Sequence, residues 1–389
     1  MDFGLSEEDR MVQSLARDFA ERELAPGAAE RDEASRPMAD VFQKLGSLGL
    51  AGVPVPEEYG GAGGTTVQYA LVVEEFARVC ASTALSYAAH ISLGLGSLSI
   101  LGSDEQKTKY LTPGARGIYP VAFGLTEPGA GSDAAGTRTT AIRDGDAWVI
   151  SGSKCFITNG ESAGVAVITA VTDPKGGADG ISAFIVPRGT PGFTARSTYD
   201  KMGMRASETS ELFFDECRIP KDHLLGKPGD GFKIALETLD GGRIGIAAQA
   251  LGIARGAMDH AVAYAKERIQ FGQQIANFQA IQWKLADMAT EVDAARLLVH
   301  RAAWMKDAGF KNYSKESAMA KLFASDVAVK VTVDALQVFG GYGYMRDYPI
   351  EKYMRDAKIT QIYEGTNQIQ REEISKILIG DHISGKDRP

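Results

Sequence analysis

The chain has 389 residues, of which 44% are hydrophobic, 24% charged and 8% aromatic, with a formal net charge of -8. That length suggests two or three domains, and the composition excludes a disordered, collagen-like or coiled-coil chain. An acidic balance without a Lys/Arg block also argues against nucleic acid, because neutralising phosphate supplies most of that affinity. The start, MDFGLSEEDRMVQSLARDF, is acidic and lacks an apolar centre, so it reads neither as a signal peptide nor as a transit peptide. Cys80, Cys155 and Cys217 form no CxxC and no disulfide framework, which fits a reduced, cytoplasmic setting.

Residues 1–118 read as helical. Ser6 with Asp9, and Ser103 with Gln106, have the spacing of capping boxes, and Gly60 to Gly64 is a loop before a long helix from about Thr66. Val79 to Ser103 contains no Asp, Glu, Lys or Arg and is long enough to span a bilayer. Its serines, Thr83 and His90 make it too polar for a lone lipid-facing helix, so the expectation is a buried bundle helix and no membrane insertion. Residues 119–230 change character. VAFGLT, TTAIR, AWVISG, VAVITAVT, ISAFIVP and ELFFDECRIP are short β-branched or aromatic runs, with a hairpin signal at Asp144-Gly145. They predict an antiparallel β-barrel or sandwich. Residues 231–389 are helical again, and amphipathic stretches at 232–267, 278–308, 314–340 and 349–379 predict a four-helix bundle. The fold class is therefore α+β, in the order helical, β, helical.

Four segments could carry chemistry. Phe123 to Asp133, FGLTEPGAGSD, combines small residues with hydroxyls and suits a pyrophosphate. Gly129, Gly131 and Ala134 weakly match a dinucleotide fingerprint, but the following TRTTAIRDGDAWVISG reads as a hairpin, so the Rossmann reading is rejected. In Phe156-Ile157-Thr158-Asn159-Gly160, strand alternation puts Phe156 and Thr158 on one face, where a ring and a hydroxyl could meet a flat cofactor. Arg268, in ERIQFG, could meet a phosphate. The last segment joins QVFGGYG, around Gly340-Gly341, to IYEGTNQI, where apolar neighbours suggest that Glu364 lines a partly enclosed wall. By residue type alone the loop is as often a turn, while FITNG is more often a strand end and Arg268 more often a solvated arginine. The five histidines form no HxxxH or HExxH pair, and neither a G-x-S-x-G elbow nor a Walker A loop occurs, so zinc, serine-hydrolase and P-loop chemistries are not expected.

FGLTEPGAGSD, FITN, ERIQFG, QVFGGYGY and IYEGTNQIQ, with TLDGGRIGIAAQALGIA, closely resemble the acyl-CoA dehydrogenase family over essentially the whole chain, most like its short-chain, butyryl-CoA branch. The resemblance implies FAD between the β domain and the C-terminal bundle of a homotetramer. Phe123, Leu125, Thr126, Gly131 and Ser132 would line the flavin and its pyrophosphate, with Phe156 and Thr158 beside the ring. Arg268, Phe271, Gln337, Gly340 and Gly341 would serve the FAD of a neighbouring subunit, and Thr366 and Gln368 would also touch the cofactor. Ser132, Asp240, Arg243 and Gly365 match positions that contact the CoA thioester, and Glu364 matches the catalytic base. The implied reaction takes a short-chain or short-branched acyl-CoA to a trans-2-enoyl-CoA, with the α-proton going to Glu364, the β-hydride to flavin N5, and electrons on to an electron-transfer flavoprotein. Related branches place the base where this sequence has Gly242, and glutaryl-specific members carry an arginine near Ala84, so neither pattern applies. Two other readings keep the fold: a nitroalkane-oxidase-like flavin oxidase or monooxygenase, which Glu364 in place of Asp disfavours, and a non-catalytic flavoprotein.

Overall fold

Residues 4–197 and 199–380 are described by the computed structural model; His382, one of the five histidines, lies outside them. Both expected capping boxes open helices. Ser6 Oγ accepts the Asp9 N–H at 3.0 Å, and Asp9 in turn accepts the Ser6 N–H at 3.1 Å, starting the Glu7–Phe19 helix. Ser103 and Gln106 repeat the motif ahead of Asp104–Gln106. A third box, Thr65 with Gln68, opens the Thr66–Val79 helix.

The uncharged run is a core element. Its helix resumes after Cys80 and continues from Ala81 to Leu101, and 67% of its most apolar stretch is buried. Among the described residues it is the one helix long and apolar enough to cross a membrane. His90 fastens it to neighbouring chain: Nδ1 accepts the Val121 N–H at 3.0 Å, so Nε2 carries the proton and donates to Ala51 O at 3.1 Å. Burial pushes this imidazole down to about 4, which keeps it neutral.

The middle region is one sheet of eight strands: β1 (Val121–Gly124), β2 (Thr140–Asp144), β3 (Ala147–Thr158), β4 (Val165–Val171), β5 (Ile181–Pro187), β6 (Phe193–Arg196), β7 (Thr209–Pro220) and β8 (Leu224–Leu225). Their order is β6-β7-β3-β2-β4-β5-β8, with β1 also on β4. The Asp144-Gly145 hairpin forms as expected, Asp144 pairing with Ala147. The sheet is not wholly antiparallel, because β1 and β2 meet β4 in parallel. Trp148 on β3 and Phe184 on β5 are on non-adjacent strands, yet their rings lie 5.2 Å apart, so the sheet folds over on itself. The continuous apolar runs of β4 and β5 have a direct cause. Val165, Val167, Ala183 and Ile185 face the helical core, while the intervening Ala166, Ile168, Phe184 and Val186 face the core inside the sheet.

The C-terminal region contains long helices at Gly231–Glu267, Gln279–Asp307 and Ser314–Phe339. Gly252 lets the first approach the Thr66–Val79 helix, since an added Cβ would lie 2.4 Å from Glu74 O. The expected fourth long helix is in fact two, Ile350–Ile359 and Asn367–Ile379. The apolar period runs across the gap, but Glu364 and Gly365 both take positive φ, 49° and 85°, and Thr366 caps the second helix by accepting the Ile369 N–H. Local turn chemistry overrides the helical pattern at that point.

Candidate active site

The interrupted helix presents Glu364 to the interior. A non-glycine residue with positive φ costs on the order of 1 kcal/mol or more, so its surroundings must hold it there. Three groups do so. Lys321 Nζ donates to Gly365 O at 2.8 Å and to Asn367 Oδ1 at 2.9 Å. Gln370 Nε2 donates to Glu364 O at 3.1 Å and to Gly365 O at 3.0 Å. The adjacent Tyr363 hydroxyl donates to Gln249 on the Gly231–Glu267 helix.

The Glu364 residue is only partly buried, but its Oε2 is enclosed and has no hydrogen-bond partner among the described residues. It sits against Gly242: a Cβ added there would lie 2.1 Å from Oε2 and 3.0 Å from Leu93 Cδ2. One helix turn on, a Cβ at Gly245 would meet the buried Tyr69 hydroxyl at 2.1 Å. Leu93 and Gly242 thus adjoin the carboxyl. Burial raises the Glu364 carboxyl to about 7, and the charges of Lys321 and Arg243 moderate the rise. Arg243 is itself buried. Its Nη1 donates to Asp240 at 2.7 Å, its Nε has no partner among the described residues, and Ser314 bonds the other Asp240 oxygen.

Glu364, Gly365, Asp240 and Arg243 therefore converge. Ser132, the fourth proposed thioester contact, lies exposed on the glycine-rich loop. That loop and the FITN strand come together: the Cys155 N–H donates to Thr126 O at 2.9 Å, and Lys154 Nζ to Leu125 O at 3.1 Å. Lys154 is fully buried and also reaches Glu127 at 2.7 Å, Thr137 at 3.0 Å and Thr169 at 3.2 Å. Glu127 further accepts the N–H groups of Arg138 and Thr139 at 2.7 and 3.1 Å. Burial pulls this carboxyl upward, but Lys154 and the donors outweigh it and hold it down to about 2. Phe123 and Gly131 occupy opposite extremes of the loop, the first buried at the end of β1 and the second exposed; an added Cβ at Gly129 or Gly131 meets nothing within 4 Å.

Around Phe156 and Thr158 the side chains alternate, with Ile157 buried between an exposed Phe156 and a half-buried Thr158. A bulge between Lys154 and Ile157 shifts the pairing with β7, Phe156 takes φ 59°, and its ring is turned outward, 63% exposed. It lies 5.0 Å from the Tyr199 ring, while Thr158 pairs with Thr209 and is half-buried.

Of the remaining cofactor candidates, three form a second cluster. Arg268, Gly340 and Gly341 line a cleft of about 520 Å³, with Arg268 over the Tyr342 ring. Gln337 accepts the Gly340 N–H at the end of its helix. Phe271 is 94% exposed with φ 52°. Thr366 is spent on its cap, and Gln368 is exposed. Sequence reasoning missed Lys321, Asn367, Gln370 and the Glu127–Lys154 pair. Lys321 had a signal: it shares a helical face with Ser317, Ala324 and Ala328, all buried, where a lysine is out of place.

Three family models match: acyl-CoA dehydrogenase N-terminal domain at residues 6–118, middle domain at 122–217 and C-terminal domain at 229–379. Butyryl-CoA dehydrogenase from Megasphaera elsdenii, a solved structure, is 47% identical with a TM-score of 0.96, covering 98% of this chain and 100% of its own. A chain solved in work on the electron transferring flavoprotein of Acidaminococcus fermentans is 54% identical, with the same TM-score of 0.96 and coverage of 98% and 100%. Acryloyl-CoA reductase (NADH) of Anaerotignum propionicum is 51% identical over 378 residues, 97% of this chain and 95% of that protein.

Proposed function

Because the chain belongs to the acyl-CoA dehydrogenase family, whose members are FAD-dependent, we propose that it oxidises a short-chain or short-branched acyl-CoA to its trans-2-enoyl-CoA, with Glu364 as the base. The observation that carries this reading is the enclosed, unpartnered Glu364 Oε2 on a strained turn beside Gly242. A proton on carbon next to a thioester is weakly acidic. A base for it must be fixed in place and must not be too weak, and a carboxyl raised to about 7 meets both demands. The Glu364 N–H donates to no protein acceptor among the described residues, so it is free to bond the thioester carbonyl as negative charge develops there. Asp240 holds Arg243 beside the base, where a cation favours the ionised carboxylate. Leu93 against Gly242 and Tyr69 against Gly245 crowd this space, which favours a short acyl group.

The residues present suit the cofactor. An open glycine turn with Thr126 and Ser132 fits phosphate, the exposed Phe156 ring fits a flat partner, and Arg268 with Gly340-Gly341 offers a second contact that a neighbouring subunit of a homotetramer would use. Bound FAD supplies the acceptor for the hydride leaving the β-carbon. From there electrons pass to an electron-transfer flavoprotein, a partner supported by the 54% identical chain. With the cofactor reduced and so able to supply the β-hydride, the same residues would serve enoyl reduction, the direction for which the 51% identical reductase is named, Glu364 returning the α-proton.

The test is anaerobic addition of butyryl-, isobutyryl-, 2-methylbutyryl- and octanoyl-CoA to the yellow holoenzyme. A short thioester bleaches the flavin, and Glu364→Gln slows bleaching by about 10²–10⁴-fold. Bleaching at the wild-type rate in Glu364→Gln, or none with any acyl-CoA, overturns the reading.

A further inference from the structure

Lys321 is fully buried in the Ser314–Phe339 helix, one helix removed from the segment that carries Glu364. Its ammonium does not end on a carboxylate. It ends on the Gly365 carbonyl and the Asn367 side-chain oxygen, the residues directly after the strained turn. Asn367 is anchored in its own right, donating to Ser325 Oγ at 2.9 Å and to Asp326 Oδ1 at 2.8 Å, both on the lysine's helix. The turn is thus tied to that helix from the inside, and a buried cation lies close enough to Glu364 for the two charges to interact.

We propose that Lys321 is the positioning residue of this site: its ammonium tethers the Gly365 carbonyl and Asn367 to the Ser314–Phe339 helix, holds Glu364 in its left-handed turn, and favours the ionised carboxylate. The inference rests on Glu364 being the base. The charged and titratable groups facing Glu364 are few. Tyr69 comes from the Thr66–Val79 helix, Arg243 with its partner Asp240 from Gly231–Glu267, Lys321 and Asp326 from Ser314–Phe339, and Tyr363 from the turn itself. Asp326 is also engaged by Arg371 of the last helix and by Gln361. Lys321 and Arg243 are the two cations in this set, and Arg243 is compensated by Asp240 whereas Lys321 rests on neutral oxygens. Burial lowers the Lys321 ammonium to about 7 while Glu364 pulls it back up, so each charge supports the other.

The experiment measures single-turnover flavin bleaching by butyryl-CoA against pH in holoenzyme carrying Lys321→Met or Lys321→Gln. A base must be ionised, so the wild-type rate rises with pH through the Glu364 titration. Removing the cation moves that acid limb to higher pH by about one unit in both variants, roughly a tenfold loss on the acid side. Met, which cannot donate to Gly365 O, also lowers the plateau more than Gln. An unmoved limb accompanied only by lower stability or flavin content overturns the proposal, because a merely structural lysine gives that result. Should neither variant yield holoenzyme, Asn367→Ala removes one ammonium acceptor and keeps the charge: a lowered plateau with the limb in place supports the tether, and an unchanged plateau overturns it. Glu364→Gln runs alongside: if it bleaches at the wild-type rate, the base assignment has failed and this proposal falls with it, whereas an unmoved limb beside a slowed Glu364→Gln overturns the lysine's role alone.

Discussion

Among the described residues two buried lysines lie near a glutamate carboxyl, Lys154 by Glu127 and Lys321 by Glu364, and the arrangements differ. At Lys154 and Glu127 the charges touch at 2.7 Å, and hydroxyls and backbone N–H groups satisfy the rest of both groups. That carboxylate is locked in its ionised form, down to about 2, and its lysine partner fastens the start of the glycine-rich loop through Leu125 O. At Lys321 and Glu364 the ammonium is spent on neutral oxygens and the carboxyl Oε2 is unpartnered, which leaves it near 7. The residue types match. What separates a carboxylate locked in its ionised form from one left near 7 here is how many donors reach it.

Breaking the satisfied pair tests the first half of the contrast. Lys154→Met strands the Glu127 charge and is expected to cost about 3–5 kcal/mol by chemical denaturation, whereas Lys154→Met with Glu127→Leu recovers most of it. A single mutant as stable as the wild type would mean that the pair fixes nothing.

The second half makes a prediction about stability. The folded Glu364 carboxyl titrates near 7, above the ordinary 4.5, so the folded chain holds a proton there that the unfolded chain has released. Stability therefore falls as pH rises from about 4.5 to 7, by at most about 3 kcal/mol. Glu364→Gln should be more stable than wild type at pH 8 and equal to it at pH 4. Unfolding curves at the two pH values check this, and a gain of equal size at both would assign it to packing rather than charge.

The smallest effect expected comes from Gly242→Ala. Its Cβ would stand 2.1 Å from Oε2, so the carboxyl must move, and bleaching should slow by about tenfold with little change in flavin content. An unaffected rate would show that Glu364 has room the structure does not suggest.

Much of this was legible in the sequence. Capping boxes, the Asp144-Gly145 hairpin and the glycine-rich loop are local, and each is written in a few adjacent residues. The misses are of two kinds. The break at Glu364-Gly365 does have a local mark, Gly before a capping Thr, but the apolar period continues through Ile362 and Tyr363 and hides it. Lys321 is the other kind: it bonds a carbonyl 44 residues away, a relation that no short window contains.

The two-sided burial of β4 and β5 has a consequence for modularity. Three family models partition the chain neatly, at 6–118, 122–217 and 229–379. The physical seams do not follow that partition. One face of each strand belongs to the helical core, so a middle segment cut free would present Val165, Val167, Ala183 and Ile185 to water as an adhesive ribbon. The segments so delimited are not independent units of folding, and a graft or truncation of this chain succeeds only if it carries the opposing helices along.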